Sequence, residues 1–184
     1  SSQGTVVNPI LSPIASGDVY RVTLGWSANP RDLDSHLIGP MPDGSGSFHV
    51  YYRHKSAGSY EGSYIAELDH DDTRGNGFET ITFRMQPGDT FKYFVHWYAG
   101  TGTWAGSNAE VNLYKGDEPL KTFSVPNVAQ DGNTAGRYWT VFELRNGLLE
   151  PTVHSTSEIV NNEPTLNSQG VSTMGARFYP QKEE

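Results

Sequence analysis

An all-β fold, an antiparallel Ig-like or Greek-key sandwich of about nine strands, is what this sequence predicts. Three observations carry that expectation. Short runs rich in Val, Thr, Tyr, Phe and Trp recur along the chain, the composition of a pleated, half-buried surface. Within those runs apolar and polar residues alternate with period two. Twenty glycines and eleven prolines punctuate them at short spacing, with no long helical pattern between.

The runs follow one another in order. Residues 19–27, VYRVTLGWS, place Val22, Leu24 and Trp26 on one face and Arg21 and Thr23 on the other. Further strands are expected at 33–38, 47–53 (SFHVYYR), 63–68, 78–84 (FETITFR), 90–98 (TFKYFVHWY), 109–115, 119–125 and 137–146 (RYWTVFELRN). The segments PDGSGS, RGNG, QPGD, KGDE and QDGNTAG supply the turns between them. After Gly147 the chain becomes rich in Ser, Thr, Asn, Glu and Pro and alternation fades. The domain reading is therefore a calcium- and ligand-binding sandwich over residues 1–150 and a C-terminal arm or linker over 151–184, packing on the sandwich, with Phe178 and Tyr179 as its docking patch.

Composition narrows the function classes. A formal net charge of -8, with no basic stripe, argues against a nucleic-acid partner. No stretch reaches the roughly 18 consecutive apolar residues of a membrane span, so no membrane insertion is expected. The first residues lack the basic start and apolar centre of a signal peptide, and Ser1 reads as following a removed segment or lying inside a longer chain. The absence of cysteine excludes a disulfide framework and thiolate chemistry. A monomeric module within a longer chain is the expected state.

Two acidic segments stand out. In Asn29-Pro30-Arg31-Asp32-Leu33-Asp34-Ser35-His36-Leu37, period two puts Asp32, Asp34 and His36 on one face. Two carboxylates side by side repel, and a hard divalent cation relieves that repulsion; calcium, with six to eight oxygen ligands in flexible geometry, suits carboxylates from loops. In the second segment, Asp69, Asp71 and Asp72 precede the glycine turn at 75–77 and Glu79 follows it. The spacing is not that of an EF-hand. A sandwich gathers its loops at two ends, so Asp32, Asp34, Asp69, Asp71, Asp72 and Glu79 are the expected ligands of one or more calcium ions.

Aromatic density marks a third feature. His49-Val50-Tyr51-Tyr52-Arg53 and His96-Trp97-Tyr98 through Trp104 hold more rings than one core face accommodates, and alternation sends some outward. His36, His49, Tyr51, Arg53, His96, Tyr98 and Trp104 are the expected ligand-binding residues, with Trp104 exposed on the glycine-rich loop 99–107. The competing metal reading takes His36, His49 and His96 as zinc ligands, although no close HExxH-type spacing is present. There is no G-x-S-x-G elbow, and clustered D-x-D carboxylates look like cation ligands rather than an acid and nucleophile held apart across a sugar. No enzyme is expected; a His/Asp metal-dependent hydrolase and a calcium-stiffened structural spacer are the alternatives.

The runs LGWSANPRDLDSHL (24–37), FHVYY (48–52), LDHDDT (68–73) with GFETIT (77–82), and YWTVFELRNG (138–147) resemble a family of β-sandwich domains of secreted and surface proteins of bacteria, over about residues 19–150. In size, acidity and aspartate loops the chain also resembles the peptide-binding module of long calcium-dependent (RTX-type) bacterial adhesins. These resemblances imply an extracellular address on the bacterial cell surface and a peptide or glycan partner on another cell. The second implies that calcium, with Arg53 or backbone amides, receives a peptide's terminal carboxylate. Tyr51, Trp97, Tyr98 or Trp104 would hold the side chains before it.

Overall fold

The computed structural model describes residues 19–58, 64–146, 151–166 and 182. Among these described residues, eleven strands form two antiparallel sheets packed face to face. They are β1 (Val19–Gly25), β2 (Asp32–Pro40), β3 (Ser47–Val50), β4 (Ser56–Ala57), β5 (Ala66–Leu68), β6 (Phe78–Arg84), β7 (Thr90–Ala99), β8 (Glu110–Lys115), β9 (Glu118–Ser124), β10 (Tyr138–Asn146) and β11 (Pro151–Val160). The first sheet runs β4-β5-β6-β1-β8-β9 and the second β11-β10-β7-β2-β3. A single helical turn, α1 (Gly132–Ala135), precedes β10, and Asp131 caps it by accepting the Thr134 amide at 2.8 Å. Among the described residues no helix is long and apolar enough to cross a membrane.

Alternation builds the core as expected. Val22 and Leu24 on β1, Ile81 and Phe83 on β6, and Val111 and Leu113 on β8 meet Leu33 and Leu37 on β2, Tyr93, Val95 and Trp97 on β7, and Trp139 and Leu144 on β10. A ring pair ties the layers together, Phe123 of the first sheet stacking on Phe142 of the second at 5.2 Å, and within the second sheet Phe142 stacks on Tyr93 at 5.4 Å.

The sandwich has two strands the alternation did not predict. Ser56–Ala57 is too short to show a period. Residues 151–160, expected to belong to an arm, instead form β11, which pairs with β10 from Asn146↔Pro151 to Tyr138↔Val160. An edge strand only half-buried on both faces has no reason to alternate, and a register shift between Thr140 and Phe142 breaks the period of its partner. The sandwich therefore extends past residue 150. The stretch just beyond β11 does lie on the sandwich. Leu166 packs with Ile38, Phe94 and Tyr138 on the outer face of the second sheet, and Lys92 Nζ donates to the Thr165 carbonyl at 2.7 Å. The expected docking of Phe178 and Tyr179 and the reading of the first 18 residues lie outside the described residues.

Candidate functional site

The register of β2 against its neighbours places the polar groups. Asp34 stands opposite His96 of β7, His36 opposite Phe94, and Ile38 opposite His49 of β3. Directly opposed residues project to the same face, so Asp32, Asp34, His36 and Ile38 share the outer face of the second sheet with Phe94, His96 and Tyr98. The loop 69–77 brings a third carboxylate. Gly75, at φ +62°, turns against the Ala28 carbonyl, and Gly77 lies so close to Trp26 that a Cβ there would meet the indole at 2.2 Å. Trp26 in turn donates Nε1–H to the Pro30 carbonyl at 3.1 Å, holding the approach to β2.

Asp32, Asp34 and Asp71 converge on one positive charge. Lys182 Nζ donates to Asp32 Oδ1 at 3.0 Å, to Asp71 Oδ1 at 2.8 Å and to Asp34 Oδ1. The same ammonium lies 4.5 Å from the Tyr52 ring centroid and 4.8 Å from that of Tyr98, and the Lys182 amide donates to Tyr98 Oη at 2.8 Å. Burial, then repulsion from Asp34, pushes the Asp32 carboxyl up to about 7 against the pull of Lys182. Burial pushes Asp34 up to about 7 as well, again opposed by Lys182. Burial alone would lower Lys182, but Asp34 and Asp32 outweigh it and hold the ammonium charged. Glu79 is buried behind this cluster, accepting the Ser35 amide at 2.8 Å and the Asp72 amide at 3.3 Å. Its carboxyl is raised well above the ordinary range by burial and then by Asp34.

A row of imidazoles continues from Asp34 along the sheet. His36 is fully buried, stacked between Phe94 at 4.7 Å and Tyr51 at 5.0 Å. Its Nδ1 lies 2.7 Å from His49 Nε2, and His49 Nδ1 faces Glu163 Oε1 at 4.0 Å. His96 stacks on Tyr138 at 4.9 Å, and its Nδ1 stands 3.9 Å from Asp34 Oδ2. Burial, then Arg137, holds His96 down to about 3, so the imidazole is neutral and offers a lone pair. Among the described residues, three groups have ligand atoms within 4.8 Å of one another: Asp32, Asp34 and Asp71; Asp34, His36 and His96; His36, His49 and Glu163.

Of the expected metal residues, Asp32, Asp34 and Asp71 meet, with Glu79 behind them. Asp69 is exposed and outside these groups. Asp72 stitches its own loop, its carboxylate accepting the Arg74 and Phe78 amides at 3.3 and 3.4 Å. Of the expected ligand-binding residues, His36, His49, Tyr51, His96 and Tyr98 gather on the outer side of the second sheet, where His36, Tyr51 and His96 are buried, while Arg53 is exposed on a tight turn. Trp104 corrects the sequence expectation. It is fully buried rather than exposed, packed edge-on against Trp97 at 5.1 Å, with Nε1–H donated to the Gly136 carbonyl at 2.9 Å. The 3-10 turn Ala105–Ser107 folds the loop inward behind it, leaving Thr101 and Gly102 at the surface. Lys182 and Glu163 were not anticipated, because single charged residues in a polar tail carry no periodic signal.

No family model and no curated protein matches the chain. Among solved structures it is similar to SAV2460, a protein of unknown function, with a TM-score of 0.55 at 16% identity over 82% of this chain and 94% of that one. At this identity the likeness speaks to the fold alone.

Proposed function

We propose that this chain is a calcium-dependent ligand-binding module of a bacterial surface protein, recognising a peptide terminus or a glycan rather than transforming it. The observation that carries the reading is the convergence of Asp32, Asp34 and Asp71 on a single cation position. Three carboxylates around one ammonium leave an excess of negative charge that a divalent ion neutralises better than a lysine does. Oxygen-only donors at this position favour calcium over softer metals. Tyr52 and Tyr98, half-buried beside the cluster, supply apolar contact with a polar handle to a ligand that completes the ion's coordination.

Thermal unfolding in EDTA and across a calcium titration tests this, because an ion that binds only the folded chain raises its midpoint by mass action. The expected result is a saturable rise with calcium, absent with magnesium and lost in an Asp32→Asn, Asp71→Asn double variant. A peptide with a free C-terminal carboxylate should then bind in calcium more tightly than its amidated form. Lys182 itself favours a second reading, a spacer whose acid cluster is a permanent ionic clasp. An unchanged midpoint with calcium supports that reading and overturns the first.

A further inference from the structure

We propose that Asp34, His36 and His96 form a second metal site, adjoining the acid cluster through the shared Asp34 and of the class that zinc occupies. The three side chains come from adjacent antiparallel strands, and the pairing Asp34↔His96 sets them face to face. Each is almost wholly buried, at 1%, 0% and 3% exposure, and each offers a ligand atom within 4.8 Å of the others. A carboxylate with two imidazoles is a borderline nitrogen–oxygen donor set, suited to zinc rather than to calcium.

The two oxygens of Asp34 sit in different surroundings. Oδ1 takes the Lys182 ammonium, whereas Oδ2 is buried and accepts no hydrogen bond among the described residues. Leaving a buried carboxylate oxygen unsatisfied is costly. His96 Nδ1, at 3.9 Å, is beyond hydrogen-bond reach. Tetrahedral zinc with bonds of about 2.0–2.1 Å holds its donor atoms about 3.4 Å apart, so this pair closes by roughly half an ångström to share one ion. Coordination therefore gives Oδ2 the partner that the described residues do not.

His36 is oriented for the same purpose. Glu163 facing His49 Nδ1 favours the proton there, which leaves the His49 Nε2 lone pair to accept from His36 Nδ1–H. The same assignment puts the His36 lone pair on Nε2, the nitrogen that would meet the ion. A carboxylate holding a metal-ligating histidine is a recurrent outer-shell arrangement, here lengthened by one imidazole. His49 and Glu163 are positioning residues in this scheme.

The test uses the full chain, stripped with chelator and then equilibrated with zinc in millimolar calcium. One equivalent of zinc should bind per chain and resist displacement by calcium. Cobalt(II) in its place should give the intense visible bands of a four-coordinate site with nitrogen ligands. His36→Gln and His96→Gln should each weaken zinc by about a hundredfold or more, and Glu163→Gln by about tenfold, the scale of losing an outer-shell partner. Asp32→Asn with Asp71→Asn should still bind one equivalent of zinc, since Asp34, His36 and His96 all remain. Absence of saturable zinc uptake overturns the proposal, as does uptake insensitive to both histidine variants. Zinc that calcium displaces, or that the Asp32→Asn, Asp71→Asn variant no longer binds, has entered the acid cluster and also overturns it. Should the histidine variants fail to fold, imidazole nitrogen resonances of the unaltered chain decide. Zinc must shift those of His36 and His96, and unshifted signals refute the site.

Discussion

Single residues in this sandwich do work that their neighbours in sequence do not reveal. Trp104 follows a glycine-rich loop yet closes the core, stacked edge-on to Trp97 and bonded to Gly136. Trp104→Phe keeps most of the ring but leaves the Gly136 carbonyl without its donor, and a loss of about 1–2 kcal/mol in urea unfolding is expected. Trp104→Ala removes the ring as well, for an expected loss of about 3–5 kcal/mol. In both variants the calcium response should persist, since Trp104 touches none of the carboxylates. The contrast with Asp32, Asp34 and His36 shows what a sequence makes legible at this scale. Their shared face follows from period two alone. The inward turn of Trp104 depends on the 3-10 turn at Ala105–Ser107, a local choice that composition does not encode. Lys182 is less legible still, because its partner Asp32 lies 150 positions away.

At the scale of elements, the loop before β6 is held by close approach rather than by volume. Gly77→Ala would push a methyl group into the Trp26 indole, 2.2 Å from its nearest carbon. A destabilisation of about 2 kcal/mol is expected in denaturant titration. A weaker calcium response should accompany it, because the same turn delivers Asp71. On the other flank, β11 covers the edge of β10 along its length. A chain ending at Asn146 would present that edge unpaired, and light scattering should find it associated where the full chain is not. The core strands were legible because each has one buried and one polar face; β11 was hidden by the exposure that makes it an edge.

For the whole molecule, sequence-distant pairing dominates. β1 lies between β6 and β8, and β7 between β2 and β10, so neither sheet assembles from consecutive hairpins alone. Closing such long loops before contacts repay the entropy predicts folding on the millisecond-to-second scale in stopped-flow refolding. The two-sheet architecture itself was legible from spacing and alternation. The outer face of the second sheet was not, because Glu163, Leu166 and Lys182 pack onto it from far along the chain and conceal groups that alternation alone would expose. One tie in that covering, the Lys182 ammonium between Asp32, Asp34 and Asp71, also sets the terms on which any outside ion enters. A competitor carried on the same chain acts at a local concentration that dilution of the protein does not change. Lys182→Met removes that rival, so calorimetry should find calcium binding at lower concentration in the variant than in the unaltered chain. On the calcium reading proposed above, the lysine would make the acid cluster a threshold element: latched by its own chain in dilute calcium, and exchanged for the ion only where calcium is abundant.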